Sequence, residues 1–166
     1  MRVLFAASIA SLALLACNRE VQPVPGWKIA VSSIEVSTHT LNLLRADTSI
    51  QHYAATGSLQ IQSIPLAPEQ GTFLLITISA EKSAGDELSL GTTHATAVVD
   101  EAGREFPAVA AGTQPLFGPD VSLTNSGKAT LVFDVPAGPR RFKLRLLKES
   151  PLISLPDPTS THPIAR

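Results

Sequence analysis

Three basic residues near the end of the chain have a spacing suited to an anionic surface. Arg141, Lys143 and Arg145 alternate with Phe142 and Leu144. Since successive side chains of a strand point to opposite faces, the three cations would form one stripe. Such a stripe could lie against anionic lipid or an anionic cell-wall polymer. The competing interpretation is a solvated outer face that discourages pairing between sheet edges.

A second candidate is the apolar pair Leu116 and Phe117, bordered by Pro115 and by Gly118-Pro119. The pair falls within residues 111–127, which predict a long loop. An apolar loop tip at the end of a sheet could dock on a partner. Alternatively, the phenylalanine folds back over the open end of the core.

Histidines and an aspartate offer one conceivable metal site. Metal sites favour histidine pairs two apart on a strand or four apart on a helix, and none of the four histidines is so spaced. A folded site built from His39, Asp47 and His52 is one hypothesis. Surface histidines are the simpler interpretation, so we expect neither a metal nor another cofactor.

The sequence carries none of the common catalytic signatures. It contains no Gly-x-Ser-x-Gly elbow, no His-Glu-x-x-His helix and no phosphate-binding glycine loop. Adjacent acids occur at Asp86-Glu87 and Asp100-Glu101, but both pairs fall in predicted turns, where solvation is expected to keep them ionised. We therefore expect a protein that is not an enzyme.

The single cysteine, Cys17, follows a secretory signal pattern. Arg2 supplies the positive start, residues 3–16 supply the apolar stretch, and Ala16 is the small residue before a cleavage site. The apolar stretch is shorter than the roughly 20 residues needed to cross a bilayer. The pattern thus predicts a signal peptide over residues 1–16 rather than a transmembrane helix.

Residues 14–17, Leu-Leu-Ala-Cys, resemble the lipobox of bacterial lipoproteins. The resemblance implies that the thiol of Cys17 receives a diacylglycerol, that cleavage occurs just before it, and that the new amino terminus is acylated. Lipoproteins retained in an inner membrane commonly carry aspartate next, whereas this chain has Asn18. The resemblance therefore implies an exported protein anchored to the cell envelope, in the outer membrane if the source has two.

Length and charge narrow the classes further. The chain has 166 residues, and removal of the signal leaves the usual size of one domain. Its formal net charge of −1 gives no general attraction to nucleic acid. With Cys17 acylated no thiol remains for a disulfide, so stability must come from packing.

Short apolar stretches between 13 prolines and 10 glycines predict many short strands. We expect a tether at residues 17–26, a domain at 27–148 and a loose proline-rich tail at 149–166. Residues 38–57 suit a strand or a helical turn equally. The first predicted strand covers residues 27–36 and has a bulge at Ser32-Ser33, and the second covers 58–62 and ends before Pro65. A central strand follows at 73–78. Further strands are predicted at 93–99 and, after a turn at 100–103, at 104–109, followed by a final pair.

That final pair predicts a hairpin around residues 136–139. In this register Phe133 faces Phe142, and the opposite side of the hairpin matches acidic with basic residues. The further expected pairs are Leu131 with Leu144, Ala129 with Leu146, Asp134 with Arg141, Val132 with Lys143 and Thr130 with Arg145.

Three segments resemble an uncharacterised immunoglobulin-like domain of bacterial exported lipoproteins. They are a glycine-led apolar strand at residues 71–76, an acidic, glycine-containing hairpin at 100–106, and a strand at 128–136 that ends in Val-Phe-Asp-Val-Pro. The resemblance implies an immunoglobulin-like antiparallel β-sandwich, and that family offers no catalytic residues to transfer.

These observations favour a non-catalytic binding or scaffolding module held at a membrane by its lipid. The expected partner is an envelope protein or an anionic envelope polymer, and nucleic acid is not expected. Two alternatives remain open. A small-ligand carrier would need an apolar pocket between the sheets, and an envelope hydrolase would need converging titratable groups at one end of the sandwich.

Overall fold

Strands form nearly all the regular structure in residues 22–47, 60–138 and 140–156, which the computed structural model describes. No helix in these residues is long and apolar enough to cross a membrane. The expected all-β class is confirmed. The strands are β1 (Trp27–Ser37), β2 (Leu41–Asp47), β3 (Gln60–Leu66), β4 (Gly71–Lys82), β5 (Leu88–Gly91), β6 (Ala97–Asp100), β7 (Glu105–Thr113), β8 (Leu116–Gly118), β9 (Asp120–Leu123), β10 (Gly127–Pro136), β11 (Phe142–Arg145) and β12 (Ile153–Ser154).

The first sheet of the sandwich is built around β4. This strand lies between β1 and β10, and β10 also pairs with β7, all antiparallel. Ile76 of β4 and Leu131 of β10 are completely buried. The prediction of a central strand at residues 73–78 is confirmed. The predicted bulge in β1 is also present, since its register against β4 shifts between Val31 and Ser33.

Strand β7 belongs to both sheets. Residues 105–107 pair with β6, whereas Ala108 to Gly112 pair with β10. The second sheet continues from β6 to β11 and then to β12. Side chains from both sheets, Phe133 and Leu144 among them, form one buried core between the layers. The result is the expected sandwich, whose sheets share a strand.

The turn between β6 and β7 occurs at residues 100–103, as predicted. The N–H of Gly103 donates to the carbonyl of Asp100 at 3.0 Å. Gly103 has φ of 78°, a conformation that favours glycine. The strand before this turn is shorter than predicted, because Thr92–His94 forms a 3₁₀ turn and β6 begins only at Ala97.

The predicted hairpin of β10 and β11, with Phe133 opposite Phe142, is wrong. Phe133 lies opposite Leu74 of β4 and Ala108 of β7. Phe142 lies opposite Asp100 of β6. The connection between β10 and β11 therefore carries the chain from the first sheet to the second.

The alternation behind that prediction is nevertheless correct. Leu131 and Phe133 of β10 and Leu144 and Leu146 in and after β11 are fully buried in the same core. Two strands joined by a short connection can face each other across a sandwich instead of pairing edge to edge. Both arrangements require the same alternation, so the sequence pattern does not distinguish them.

Asp134 was predicted to lie opposite Arg141. Its carboxylate instead accepts hydrogen bonds from the loop before β4, at Glu69 and Gln70. It accepts the backbone N–H of Glu69 at 2.7 Å and that of Gln70 at 3.1 Å. Asp134 is 8% exposed. Its charge is thus satisfied by backbone donors, which are strong partners for a buried carboxylate.

Strands β2, β3 and β8 form an additional layer on the outer face of the first sheet. Strand β2 pairs with β3 along its length, and β8 meets both β2 and β7. Phe73, Ala110 and Val132 of the first sheet are buried there against Leu43 and Phe117. This second apolar cluster explains why β4 and β10 are apolar on both faces.

Residues 38–57, for which the sequence left strand and helical turn open, contain β2. Strand β3 extends through Pro65 to Leu66, so the prediction that it ends before Pro65 is wrong. Among the described strands β3 pairs only with β2. An edge strand tolerates the missing N–H of proline.

The prediction of a long loop over residues 111–127 is wrong. Strand β7 continues to Thr113, β8 returns along it, and β9 pairs with β5. The backbones of β7 and β8 approach so closely that a Cβ on Gly112 would collide with the backbone of Leu116. Only glycine permits that approach, so β8 depends on a contact that its own three residues do not reveal.

Part of the segment predicted as a loose tail joins the second sheet. Ile153–Ser154 forms β12 against β11, and the N–H of Leu155 donates to the carbonyl of Phe142 at 3.3 Å. The prediction of a tail is therefore wrong for these residues. Residues 157–166 lie outside those that the structure describes.

Candidate binding groove beside the last strands

A network of charged groups holds the turn between β6 and β7. The side chain of Asp100 is only 4% exposed. Its carboxylate accepts the backbone N–H of Ala102 at 3.0 Å and that of Arg104 at 2.9 Å, and the side-chain Nε of Arg104 also donates to it at 2.8 Å. Arg140 Nη1 lies 3.6 Å away. Burial alone would raise the pKa of Asp100, but the hydrogen bonds from Arg104 hold it below its ordinary value. The network thus ties this turn to the residues before β11.

Arg145 of β11 is paired with Glu105 of β7. Its two Nη atoms donate to the two carboxylate oxygens at 2.6 Å each. The hydrogen bonds raise the pKa of Arg145 and lower that of Glu105. Strand β6 lies between them, and the small Ala97 stands opposite Arg145. Of the predicted cationic stripe, Arg145 is therefore already engaged within the chain.

An open groove of about 780 Å³ lies beside β11, bordered by β6, by the β6–β7 turn and by the segment containing β12. We call it the terminal groove. Its lining combines apolar and charged side chains, as ligand sites commonly do. The lining includes Val99, Glu101, Arg141, Lys143, Leu152 and Ser154.

The other two cations of the stripe meet in this groove. Arg141 and Lys143 are exposed, and neither forms an ion pair within the described residues. Of the two acidic residues that line the groove, Asp100 is bound by Arg104, which leaves Glu101. The groove consequently carries a net positive charge.

The described chain enters the sandwich at the opposite end, beside Trp27. Strand β1 runs from Trp27, opposite Lys82, to Val36, opposite Leu74. About nine residues of strand span about 30 Å. Val36 and Leu74 therefore mark a level about 30 Å from the point of entry.

The terminal groove lies beyond that level. Lys143 stands opposite Val99, which stands opposite Glu105 at the start of β7. Ala108, three residues further along β7, is level with Leu74 through β10. Because β7 runs back toward the entry end, its first residue lies on the far side of Ala108. The groove cations thus lie toward the end of the sandwich opposite the entry point.

Leu116 and Phe117, the predicted docking loop, lie in β8. Phe117 is half-buried and packs on the cluster of Phe73, Ala110 and Val132. Phe117 is thus packed on apolar residues, but on the outer face of the first sheet rather than over the open end of the core. Leu116 is 37% exposed and is the member of the pair that remains accessible.

The hypothetical metal site is only partly visible. His39 is exposed in the turn between β1 and β2, where its backbone N–H donates to Ser37 Oγ at 3.3 Å. The side chain of Asp47, and all of His52 and Cys17, lie outside the described residues. Within the described ranges no three His, Cys, Asp or Glu side chains group as metal ligands would.

Sequence reasoning missed the wall of the groove that Leu152 and Ser154 supply. Both belong to the segment interpreted as a tail because of its prolines. The available signal was a short stretch, Leu-Ile-Ser-Leu, between Pro151 and Pro156. A segment of this length can form an edge strand, where flanking prolines are common.

Comparison with protein-family models gives no match. Comparison with curated proteins gives none either. Among solved structures, the chain is similar to an uncharacterized β-sandwich protein from Clostridium difficile 630, with a TM-score of 0.46 and 12% sequence identity over 80% of this chain and 87% of that chain. Function must therefore be inferred from this chain's own residues.

Proposed function

We propose that the chain is a lipoprotein of the bacterial cell envelope whose sandwich acts as a non-catalytic binding or scaffolding module. Lipidation of Cys17 would anchor it, and Asn18 favours the outer membrane where the source has two. Three acyl chains hold a protein far more firmly than one. Membership in the immunoglobulin-like domains of exported lipoproteins is part of this proposal.

The observation that carries the proposed binding role is the pair of cations in the terminal groove. The other basic groups nearby have partners inside the chain: Arg104 and Arg140 share Asp100, and Arg145 pairs with Glu105. Arg141 and Lys143 instead face a groove large enough for a partner segment. Exposed charges beside a concave, partly apolar surface favour recognition of an oppositely charged group.

The carboxylates with shifted pKa values support binding over catalysis. Asp120 accepts the N–H of Thr93 at 2.9 Å and its hydroxyl at 2.8 Å, and these bonds lower its pKa although burial opposes the change. Hydrogen bonds from arginines likewise lower the pKa values of Asp100 and Glu105. Each of these three carboxylates stays ionised and is hydrogen-bonded to groups of the fold. A general acid needs a raised pKa and a carboxyl oxygen that a substrate can reach.

The position of the groove favours a partner beyond the anchoring membrane. The cations lie toward the end of the sandwich opposite Trp27, where the described chain enters it. Four residues separate Gln22 from Cys17, and the five Cα–Cα steps between them reach at most about 18 Å. An upright domain would therefore present Arg141 and Lys143 away from its own lipid. This favours an envelope protein or polymer over anionic lipid of the same membrane.

A small-ligand carrier is supported less well. An apolar recess of about 170 Å³ lies between the additional layer and β7, lined in part by Leu43, Ile64 and Phe117. Sites for drug-sized ligands usually offer about 300 Å³ or more. The terminal groove has that volume, but it is open and charged.

The proposal is tested in two steps. Mass spectrometry of the native protein should find a diacylglycerol and an acylated amino terminus on Cys17, and the Cys17→Ser variant should leave the membrane fraction. Detergent-solubilised envelope is then passed over the immobilised domain. A partner retained by the wild type should be released by Arg141→Glu with Lys143→Glu.

The matched control for the second step is Lys128→Glu with Lys148→Glu, which changes the net charge equally at two exposed positions outside the groove. Retention by this control together with loss from the groove variant supports the proposal. An unmodified Cys17, or equal retention by both variants, contradicts it.

A further inference from the structure

Within the described residues, the last strand of the second sheet has an open edge. Among the described strands, β12 pairs with β11 and with no other. The N–H of Leu155 points to β11, where it meets the carbonyl of Phe142. Since successive residues of a strand direct their backbone groups to opposite sides, Ser154 and Leu152 direct theirs to the open edge. These groups can pair with an added strand.

The edge is short. Pro151 and Pro156 border it, and proline has no N–H to offer. An added strand could pair over about five residues at most, which gives few backbone hydrogen bonds. A partner at this edge therefore needs side-chain contacts for its specificity.

Arg141 and Lys143 supply contacts at a suitable spacing. Residues two apart on a strand point to the same face and lie about 7 Å apart. An extended peptide places its own alternate side chains at the same interval. Two acidic residues separated by one residue would thus match the two cations in register.

The chain contains a precedent for the required reach. Arg145 of β11 crosses β6 over the small Ala97 and binds Glu105 on the strand beyond. Lys143, two residues earlier on the same face, stands opposite Ser154 of β12, which is also small. By the same geometry, Lys143 can cross β12 and bind a carboxylate on a strand added beyond it.

We propose that the open edge of β12 accepts a short extended peptide segment with acidic side chains at alternate positions, as an added strand. Backbone groups of Leu152 and Ser154 pair with the peptide, and Arg141 and Lys143 bind its carboxylates. The apolar Leu152, at the edge itself, provides contact area for the peptide. This inference rests on the proposed binding function and assigns the partner as an envelope protein rather than a polymer.

The test uses short fluorescein-labelled peptides and measures anisotropy on titration with the full-length lipoprotein in detergent. One peptide alternates glutamate with threonine, which favours extended structure. A second has the same composition with its glutamates adjacent, so that they point to opposite faces. We expect the alternating peptide to bind at least about fivefold more tightly.

Variants separate the charge contacts from the backbone contacts. Arg141→Glu with Lys143→Glu should weaken binding of the alternating peptide by about tenfold or more. Ser154→Pro removes an N–H that points to the open edge and should weaken it by about fivefold. The control Lys128→Glu with Lys148→Glu should stay within about twofold of the wild type. Circular dichroism spectra that match the wild type establish that each variant is folded.

Three results would overturn the inference: equal binding of the two peptides, no effect of Ser154→Pro, or tighter binding of soluble poly(glycerol phosphate) than of the alternating peptide. The last two would indicate attraction of polyanions without strand addition. The proposed function fails separately. If the groove variant still releases an envelope partner while the peptides do not bind, the binding module stands and only the added strand is lost.

Discussion

The two ends of the sandwich are held together by different forces. At the entry end Trp27 is 1% exposed, its Nε1 donates to the carbonyl of Asp86 at 3.2 Å, and the ammonium of Lys82 lies 5.6 Å from the ring centroid. At the groove end, Asp100 and Asp134 are the anchors, and their partners are arginines and backbone N–H groups.

This difference separates stability from recognition. The entry end depends mainly on apolar burial, which changes little with pH or salt. The groove end depends in part on Asp100, whose pKa is lowered by hydrogen bonds from Arg104, so its order is sensitive to pH.

The largest effect is expected at the entry end. Trp27→Ala removes a buried indole and should lower the free energy of unfolding by about 3–5 kcal/mol. Trp27→Phe keeps part of the packing and should cost less. Urea denaturation followed by circular dichroism measures both. A loss below about 1 kcal/mol for the alanine variant would show that this end is not a packing centre.

The next effect concerns the loop before β4. Asp134→Ala leaves the N–H groups of Glu69 and Gln70 without their acceptor, and it should cost about 1–3 kcal/mol. Denaturation at neutral pH gives the value. Asp86→Ala, at the entry end, is the control, since the Asp86 side chain is exposed and its backbone carbonyl remains. Equal losses in both variants would remove the contrast between the ends.

Acid should weaken the groove end selectively. The pKa of Asp100 is lowered in the folded protein, so the unfolded chain binds a proton first as the pH falls. The contribution of Asp100 is complete above its unfolded pKa of about 3.9 and is lost as the pH falls through the folded value. The difference in urea midpoint between wild type and Asp100→Asn should therefore shrink between pH 7 and pH 3. A constant difference would argue against this role.

The smallest effect is expected from Glu105→Gln. Glu105 is half-exposed, and exposed ion pairs contribute little to stability. The substitution should shift the urea midpoint less than Asp100→Asn does. It should also release Arg145 and strengthen binding of the alternating acidic peptide. Weaker binding would indicate that the ion pair itself positions β11.

Sequence alternation predicted the faces of the strands but not their neighbours. Phe133 and Phe142 were correctly expected to be buried on one side, yet they pack from opposite layers because alternation records orientation only. Strand β8 was missed for another reason. It depends on the absence of a side chain at Gly112, which lies outside the three residues of β8.

The candidate site was predictable to a similar extent. Arg141 and Lys143 were identified from their spacing, and both lie in the terminal groove. Arg145 was grouped with them because its partner Glu105 is 40 residues away in sequence. That pairing becomes visible only when β6 is known to lie between β7 and β11.

One strand, β7, donates hydrogen bonds to both sheets, and this has a consequence for how the domain opens. Phe106 pairs in the second sheet and Ala111 in the first, so the loss of β7 would remove hydrogen bonds from both sheets at once. Slowly exchanging amides in β6 and in β10 should therefore become deuterated with the same free energy of opening, as a single cooperative unit. A force applied through the amino terminus would meet that unit as a whole.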